Sequence, residues 1–213
     1  MRRRSLGATL AAAALLTSGA ASPEPGRPEP EQRITVRADS AGATTATLTA
    51  WQRTGSEWTK AYGPVSAHVG QNGVGQASES TSRTPAGVWP LTEAFGIEPA
   101  ETRLPYRKVT TSDWWVSDVA SPHYNTHFAC APGTCPFDEA AGENLGKAGP
   151  VYANAVVIDY NRSPVVPGAG SAFFLHVTNG KPTAGCVAIP GADLTALLRW
   201  LDPARHPVIE ISG

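Results

Sequence analysis

Nowhere does the sequence hold an apolar run of the ~20 residues that a membrane-spanning helix needs, and it has no excess of basic charge, no internal repeat and only three cysteines. Each absence excludes something. Without a spanning run, the mature chain is expected to make no stable membrane insertion. With 17 Lys and Arg against 18 Asp and Glu, and a formal charge of −1, there is no electrostatic footprint for nucleic acid. With three cysteines, one thiol is left over however the other two pair.

The first residues, "MRRRSLGATLAAAALLTSGAAS", place Arg2, Arg3 and Arg4 before an uncharged apolar run that ends in small residues. This is the pattern of an export signal over residues 1–22, with cleavage expected near Ala20 to Ser22. A retained anchor is the alternative. Arg3-Arg4-Ser5-Leu6 fits the twin-arginine route, and a plain basic region explains it equally well. Loss of the signal removes three arginines and no acid, moving the formal charge from −1 to −4. Residues 23–33 are rich in Pro and Glu and read as a spacer; residues 34–213 then form one domain large enough to bury its own core. The expected location is outside the membrane, free or at the cell wall.

Strand signals dominate that domain. "ITVRA", "TATLTAWQR", "PVSAHVG", "AVVIDYN" and "AFFLHVT" are short, β-branched or aromatic, and separated by Gly, Pro, Asn and Ser. One segment has helical period: Leu194, Leu197, Leu198 and Leu201 recur at i, i+3, i+4 and i+7, with Asp193 expected to cap the start and Asp202-Pro203 to stop it. "HPVIEIS" returns as a last strand. The fold class is therefore mainly β, with one amphipathic helix near the C-terminus.

Cys130 and Cys135 flank Pro132-Gly133, a turn that can bring their sulfurs together, so a local disulfide is expected in an oxidising compartment. Cys186 is then alone, either as a working thiol or as a small buried hydrophobe. Its segment reads "HVTNGKPTAGC". Asn179-Gly180 is expected to reverse the strand that carries His176 and bring the chain back past the cysteine. A strict two-residue hairpin would set His176 opposite Thr183, so a bend at Ala184-Gly185 is required. Glycine before a nucleophile permits that bend, and imidazole beside thiol is the pair that activates a cysteine.

The segment "AFFLHVTNGKPTAGCVAIP" resembles the catalytic segment of the L,D-transpeptidase family, cysteine enzymes that remodel bacterial peptidoglycan. "TPAGVWPLTEAFG" is similar to the family's Thr-Pro-Xaa-Gly turn and following strand, and "YANAVVIDYN" to the strand before the histidine, so the likeness spans roughly residues 84 to 213. It implies a β-sandwich or mixed-sheet fold of that family. It also implies that Cys186 attacks the third residue of a peptidoglycan tetrapeptide stem, releasing D-alanine and leaving a thioester, with His176 as base. The N–H groups of Cys186 and Gly185 would hold the oxyanion, and Thr183 would orient the imidazole or end a turn. An amine makes this a transpeptidase and water a carboxypeptidase; neither needs a cofactor or metal, and a monomer is expected. The sequence departs from the best-known members in having Ala184 where they carry histidine two places before the cysteine, and in a shorter spacing from His176.

Other residues invite roles. Trp114 and Trp115 face opposite ways if extended, so at most one lines a given cleft; Trp115 is the substrate-binding candidate, with Tyr124 and Asn125 in a long polar stretch, Ser121 to Gly149, that could act as a lid. Core packing and a solvated insertion are the plain readings. "HYNTHFAC" raises a rival, a zinc-dependent wall peptidase using His123 and His127, although Pro122 opposes a helix there and no glutamate stands between the histidines. A non-catalytic wall-binding module is the third reading.

Overall fold

The computed structural model describes residues 28–213; the export-signal reading and residues 23–27 of the spacer lie outside the described residues. Among the described residues, fourteen strands, one α-helix and two single-turn 3₁₀ helices follow in order: β1 (Gln32–Ala38), β2 (Thr45–Thr54), β3 (Glu57–His68), β4 (Val74–Gly75), β5 (Thr84–Pro85), β6 (Gly87–Gly96), β7 (Tyr106–Lys108), β8 (Asp113–Trp115), β9 (His127–Ala129), β10 (Glu143–Asn144), a 3₁₀ helix (Gly149–Tyr152), β11 (Ala155–Ile158), β12 (Phe174–Val177), β13 (Val187–Ile189), α1 (Gly191–Trp200), a second 3₁₀ helix (Pro203–Arg205) and β14 (Val208–Ser212). The main sheet runs β11-β12-β13-β3-β2-β1-β14-β6-β7, and β6 also pairs with β11, so the sheet closes on itself like a barrel. Closure removes the unpaired edges that an open sheet would expose.

The interior follows from alternation. Ile34 and Val36 of β1, Leu48 and Ala50 of β2, Val156 and Ile158 of β11, Leu175 of β12 and Val187 and Ile189 of β13 point into one cluster. Their neighbours Ala155, Val157 and Phe174 point outward into a second cluster with Phe95, Trp115, Leu145 and Tyr152. Both faces of this part of the sheet are covered, which is why "AVVI" and "FFL" are continuous apolar runs rather than alternating ones. The second cover is the Ser121–Gly149 insertion, folded with Asp113–Trp115 as a small sheet in the order β10-β8-β9.

Helix α1 buries Leu194, Leu197, Leu198 and also Leu201, just beyond its end, in the barrel interior. The expected stop holds, since Leu201 and Asp202 are extended and a 3₁₀ turn begins at Pro203. The start differs: Pro190 occupies the N-cap and no side chain caps it, while Asp193 lies in the first turn and accepts from Tyr62 Oη at 2.7 Å. Carboxylate near a helix N-terminus is still favourable through the helix dipole. Gln32, the first residue of β1, clamps the other end, donating to Trp200 O at 2.8 Å and accepting from Asp202 N at 2.8 Å. Strand β1 thus begins two residues before the expected domain start. Residues 29–31 are also held to the fold, by Arg53–Glu29 and Arg205–Glu31 ion pairs.

Candidate active site

The expected hairpin is not formed. Strands β12 and β13 are parallel, with Leu175 beside Val187 and His176 beside Ala188. The chain reverses at Gly180, where φ is +79°, runs back along the sheet, and turns again so that Cys186 enters β13 beside Phe174. What holds the returning segment is non-local: Thr183 N donates to Val69 O at 2.9 Å, and Gln71 N to Thr183 O at 2.8 Å. The second turn is at Gly185, with φ +150°; a Cβ there would sit 2.5 Å from Phe173 Cε1 and 3.0 Å from Arg83 O. Glycine is required for backbone and for space.

Hydroxyls brace this turn. Thr183 Oγ1 accepts from Gly185 N at 3.0 Å and donates to Cys186 O at 2.7 Å. Thr84, fully buried at the Thr-Pro turn, accepts from Gly70 N at 2.8 Å and donates to the same Cys186 O at 3.3 Å. Thr183 makes no hydrogen bond to His176. Gly185 N–H is spent on Thr183, so of the two anticipated oxyanion donors only Cys186 N–H makes no hydrogen bond to a described residue.

Side chains two apart on a strand share a face, so Phe174, His176 and, across the parallel pair, Cys186 all face outward. Cys186 is the free thiol. It is only 9% exposed yet lines a cavity of about 360 Å³ that His176, Glu143, Tyr152, Thr183, Ala184 and Gly185 also line. The thiol donates to Ala172 O at 3.4 Å and accepts from Phe174 N at 3.3 Å. Imidazole Nδ1 lies 2.9 Å from Val177 O; a carbonyl can only accept, so Nδ1 carries the proton and Nε2 is the basic nitrogen. Burial pushes the Cys186 thiol well up, Glu143 adds to this through its charge, and the Phe174 N–H opposes it. Burial also lowers His176, against the pull of the Val177 carbonyl. Both shifts favour neutral thiol and neutral imidazole over thiolate and imidazolium.

Three candidates lie behind the cavity wall instead of in it. Trp115 is buried edge-on to Phe174, with ring centroids 5.1 Å apart, and donates to Asn125 Oδ1 at 2.8 Å. Asn125, at φ +57°, also accepts from Ala172 N at 3.2 Å and donates to the carbonyls of Tyr160 and Asn161. It thereby fixes the residue whose carbonyl receives the thiol. Tyr124 donates to Glu79, which does line the cavity, and accepts from Gly170 N. Burial, with help from Glu79, pushes its phenol up to about 12. Trp114 faces the other way, onto Phe137.

Cys130 and Cys135 form the disulfide. Cys130 is thus unavailable to a metal, His127 is held 2.8 Å from Asp113, and the ring of His123 lies against Phe128. Among the described residues no group of three His, Cys, Asp or Glu is placed to hold a metal ion.

Two residues escaped the sequence reading. Glu143 accepts from Tyr152 Oη at 2.6 Å, and the tyrosine ring meets His176 edge-on at 5.5 Å. Burial raises Glu143, opposed by the Tyr152 hydroxyl, and raises Tyr152 well above its ordinary value, helped by Glu143 and Cys186. Tyr152 begins the quoted "YANAVVIDYN", so its place beside the strand was the available signal; Glu143 had none.

A closed, mostly antiparallel sheet with a parallel β12–β13 pair, an unpaired thiol and an imidazole over one cavity defines a β-barrel-like enzyme fold. The sequence matches the family profile described as YkuD, L,D-transpeptidase catalytic domain, over residues 32–209, and the chain belongs to that family. The match begins at β1, well before residue 84, where the likeness in the sequence motifs starts. It is therefore an L,D-transpeptidase-type enzyme of peptidoglycan, and no described helix is long and apolar enough to cross a membrane. No curated protein and no solved structure shows significant similarity to the chain.

Proposed function

We propose that Cys186 is the nucleophile and His176 its base, in an exported, monomeric enzyme whose catalytic domain, expected from residue 34, takes in β1 from Gln32 and runs to Gly213. The observation that carries this is the placement of an unpaired thiol and an imidazole with a free Nε2 on one face of one strand pair, over one cavity. Sulfur attacks the carbonyl of the third stem residue while its proton passes to Nε2. The C–N bond to the terminal D-alanine then breaks, that proton leaves with the amine, and a thioester remains. Cys186 N–H stabilises the oxyanion, a donor of this kind being worth about 3 kcal/mol. An amine or water completes the cycle. Because the thiol is neutral at rest, substrate must displace the Ala172 carbonyl from it before transfer to His176.

The test is D-alanine release and cross-linked product from a tetrapeptide stem. Cys186→Ala should abolish both, and His176→Ala should lower the rate by about 10²- to 10⁴-fold. Release that persists in Cys186→Ala refutes the assignment.

A further inference from the structure

Among the described residues, two charged side chains line the cavity over Cys186, Glu79 and Glu143, and no lysine or arginine does. The cation above Trp115, Arg162, is occupied by Glu93 and Asp159 at 2.8 Å each and lies outside the lining. Each lining carboxylate receives a tyrosine hydroxyl, Glu79 from Tyr124 and Glu143 from Tyr152. A neutral phenol donor fixes a carboxylate without cancelling its charge. The two differ in place. Glu79 is exposed at the rim, whereas Glu143 is half-buried on β10, and its partner Tyr152 is wedged edge-on among Phe95, Phe174 and His176.

A fixed anion beside the sulfur works against the first half of the proposed reaction, since it opposes thiolate. It helps the second half. Once the thioester has formed, the acceptor must enter as an amine, and an amine in water near neutral pH is an ammonium ion. We infer that Glu143, held by Tyr152, is the subsite for the acceptor's ammonium group and selects amine over water, and cationic over anionic groups, at Cys186. The inference rests on the transpeptidase reading. The ammonium gives one proton to the Glu143 carboxylate, and the freed amine forms the C–N bond as the C–S bond breaks. Its second proton passes through His176 Nε2 to the departing sulfur, restoring the thiol, and Glu143 releases its proton to solvent, restoring the carboxylate. Glu143 thus accounts for an acidic residue in a site whose nucleophile would be better served by a cation.

Methanethiosulfonate reagents test this on the full chain. Each forms a mixed disulfide at Cys186 and expels methanesulfinate, and the set used is aminoethyl (cationic), sulfonatoethyl (anionic) and methyl (neutral). The neutral reagent corrects for any change in thiol acidity. The cation-to-anion rate ratio should exceed that of the urea-unfolded chain by about tenfold and fall by a similar factor in Glu143→Gln, the size of one partly screened charge interaction. Glu79→Gln should move it less than about threefold, as expected of an exposed charge. In parallel, the ratio of transfer to hydrolysis with an added diamino acid should drop in Glu143→Gln. A native ratio within about twofold of the unfolded chain's overturns the inference even if the variant does not fold, as does an unchanged ratio in a folded Glu143→Gln. Failure to form any acyl-enzyme refutes the proposed function instead, and leaves the reagent ratios readable.

Discussion

Replacing Gly185 with alanine adds one methyl group at the turn that delivers Cys186, and its cost follows from two distances. The new Cβ would stand 2.5 Å from Phe173 Cε1 and 3.2 Å from Cδ1. Ordinary carbon contacts are about 3.5–4.0 Å, so ring or turn must move by about an ångström. The ring has nowhere to go: Phe173 is buried and packs edge-on against Tyr160, whose hydroxyl is held by the Ala169 carbonyl. On the other side the obstacle is backbone, Arg83 O at 3.0 Å. Overpacking of this kind costs about 1–3 kcal/mol, and holding an L-residue at φ +150° adds about 1–2 kcal/mol. The expected loss is about 2–5 kcal/mol, a large share of the ~5–15 kcal/mol that folds a domain. With a urea slope of about 2 kcal/mol/M, the unfolding midpoint should fall by about 1–2.5 M. Alkylation of the native thiol should also change, because the same turn aims the sulfur. A midpoint within about 0.2 M of wild type would refute the close-contact account of this turn.

Three other outcomes are expected. Thr84→Val keeps the shape but removes the acceptor for Gly70 N–H in a fully buried place, and should cost about 1–3 kcal/mol by chemical denaturation, whereas Thr84→Ser should cost less. Because burial holds the Cys186 thiol up, its thiolate is scarce at neutral pH; the rate of iodoacetamide alkylation should climb about tenfold per pH unit from 7 to 9, and a plateau below pH 8 would show a thiolate–imidazolium pair instead. Thiol titration of the denatured chain should find one thiol without reductant and three with it, any other pair of counts contradicting the Cys130–Cys135 bond.

Much of the fold was legible because it is written in local periodicity. The leucines of α1 repeat at helical spacing, and they are the residues buried; the apolar runs "AVVI" and "FFL" mark strands covered on both faces. Trp114 and Trp115 part company as extended neighbours must. The β12–β13 relation was not legible, because Asn-Gly between strand-like runs signals a hairpin and parallel partners usually need a crossover of a dozen or more residues. Here the short return is possible because Val69 and Gln71 grip Thr183, a contact from a distant part of the chain. The same bend that a hairpin would have demanded at Gly185 is present for a different reason. Asp193 looked like a cap because it opens the helical pattern, yet Tyr62 on β3 claims it. Glu143 and Tyr152 could not be paired from sequence, since the insertion that carries Glu143 reaches the cavity only by folding against β8.

Cys186 as an accessible nucleophile stands or falls on intact-mass spectrometry of the full chain after incubation with a carbapenem. One covalent adduct, mapped to Cys186 and lost in Cys186→Ala, is the predicted result. An unmodified chain whose thiol nonetheless reacts with iodoacetamide, or an adduct that survives Cys186→Ala, would contradict it.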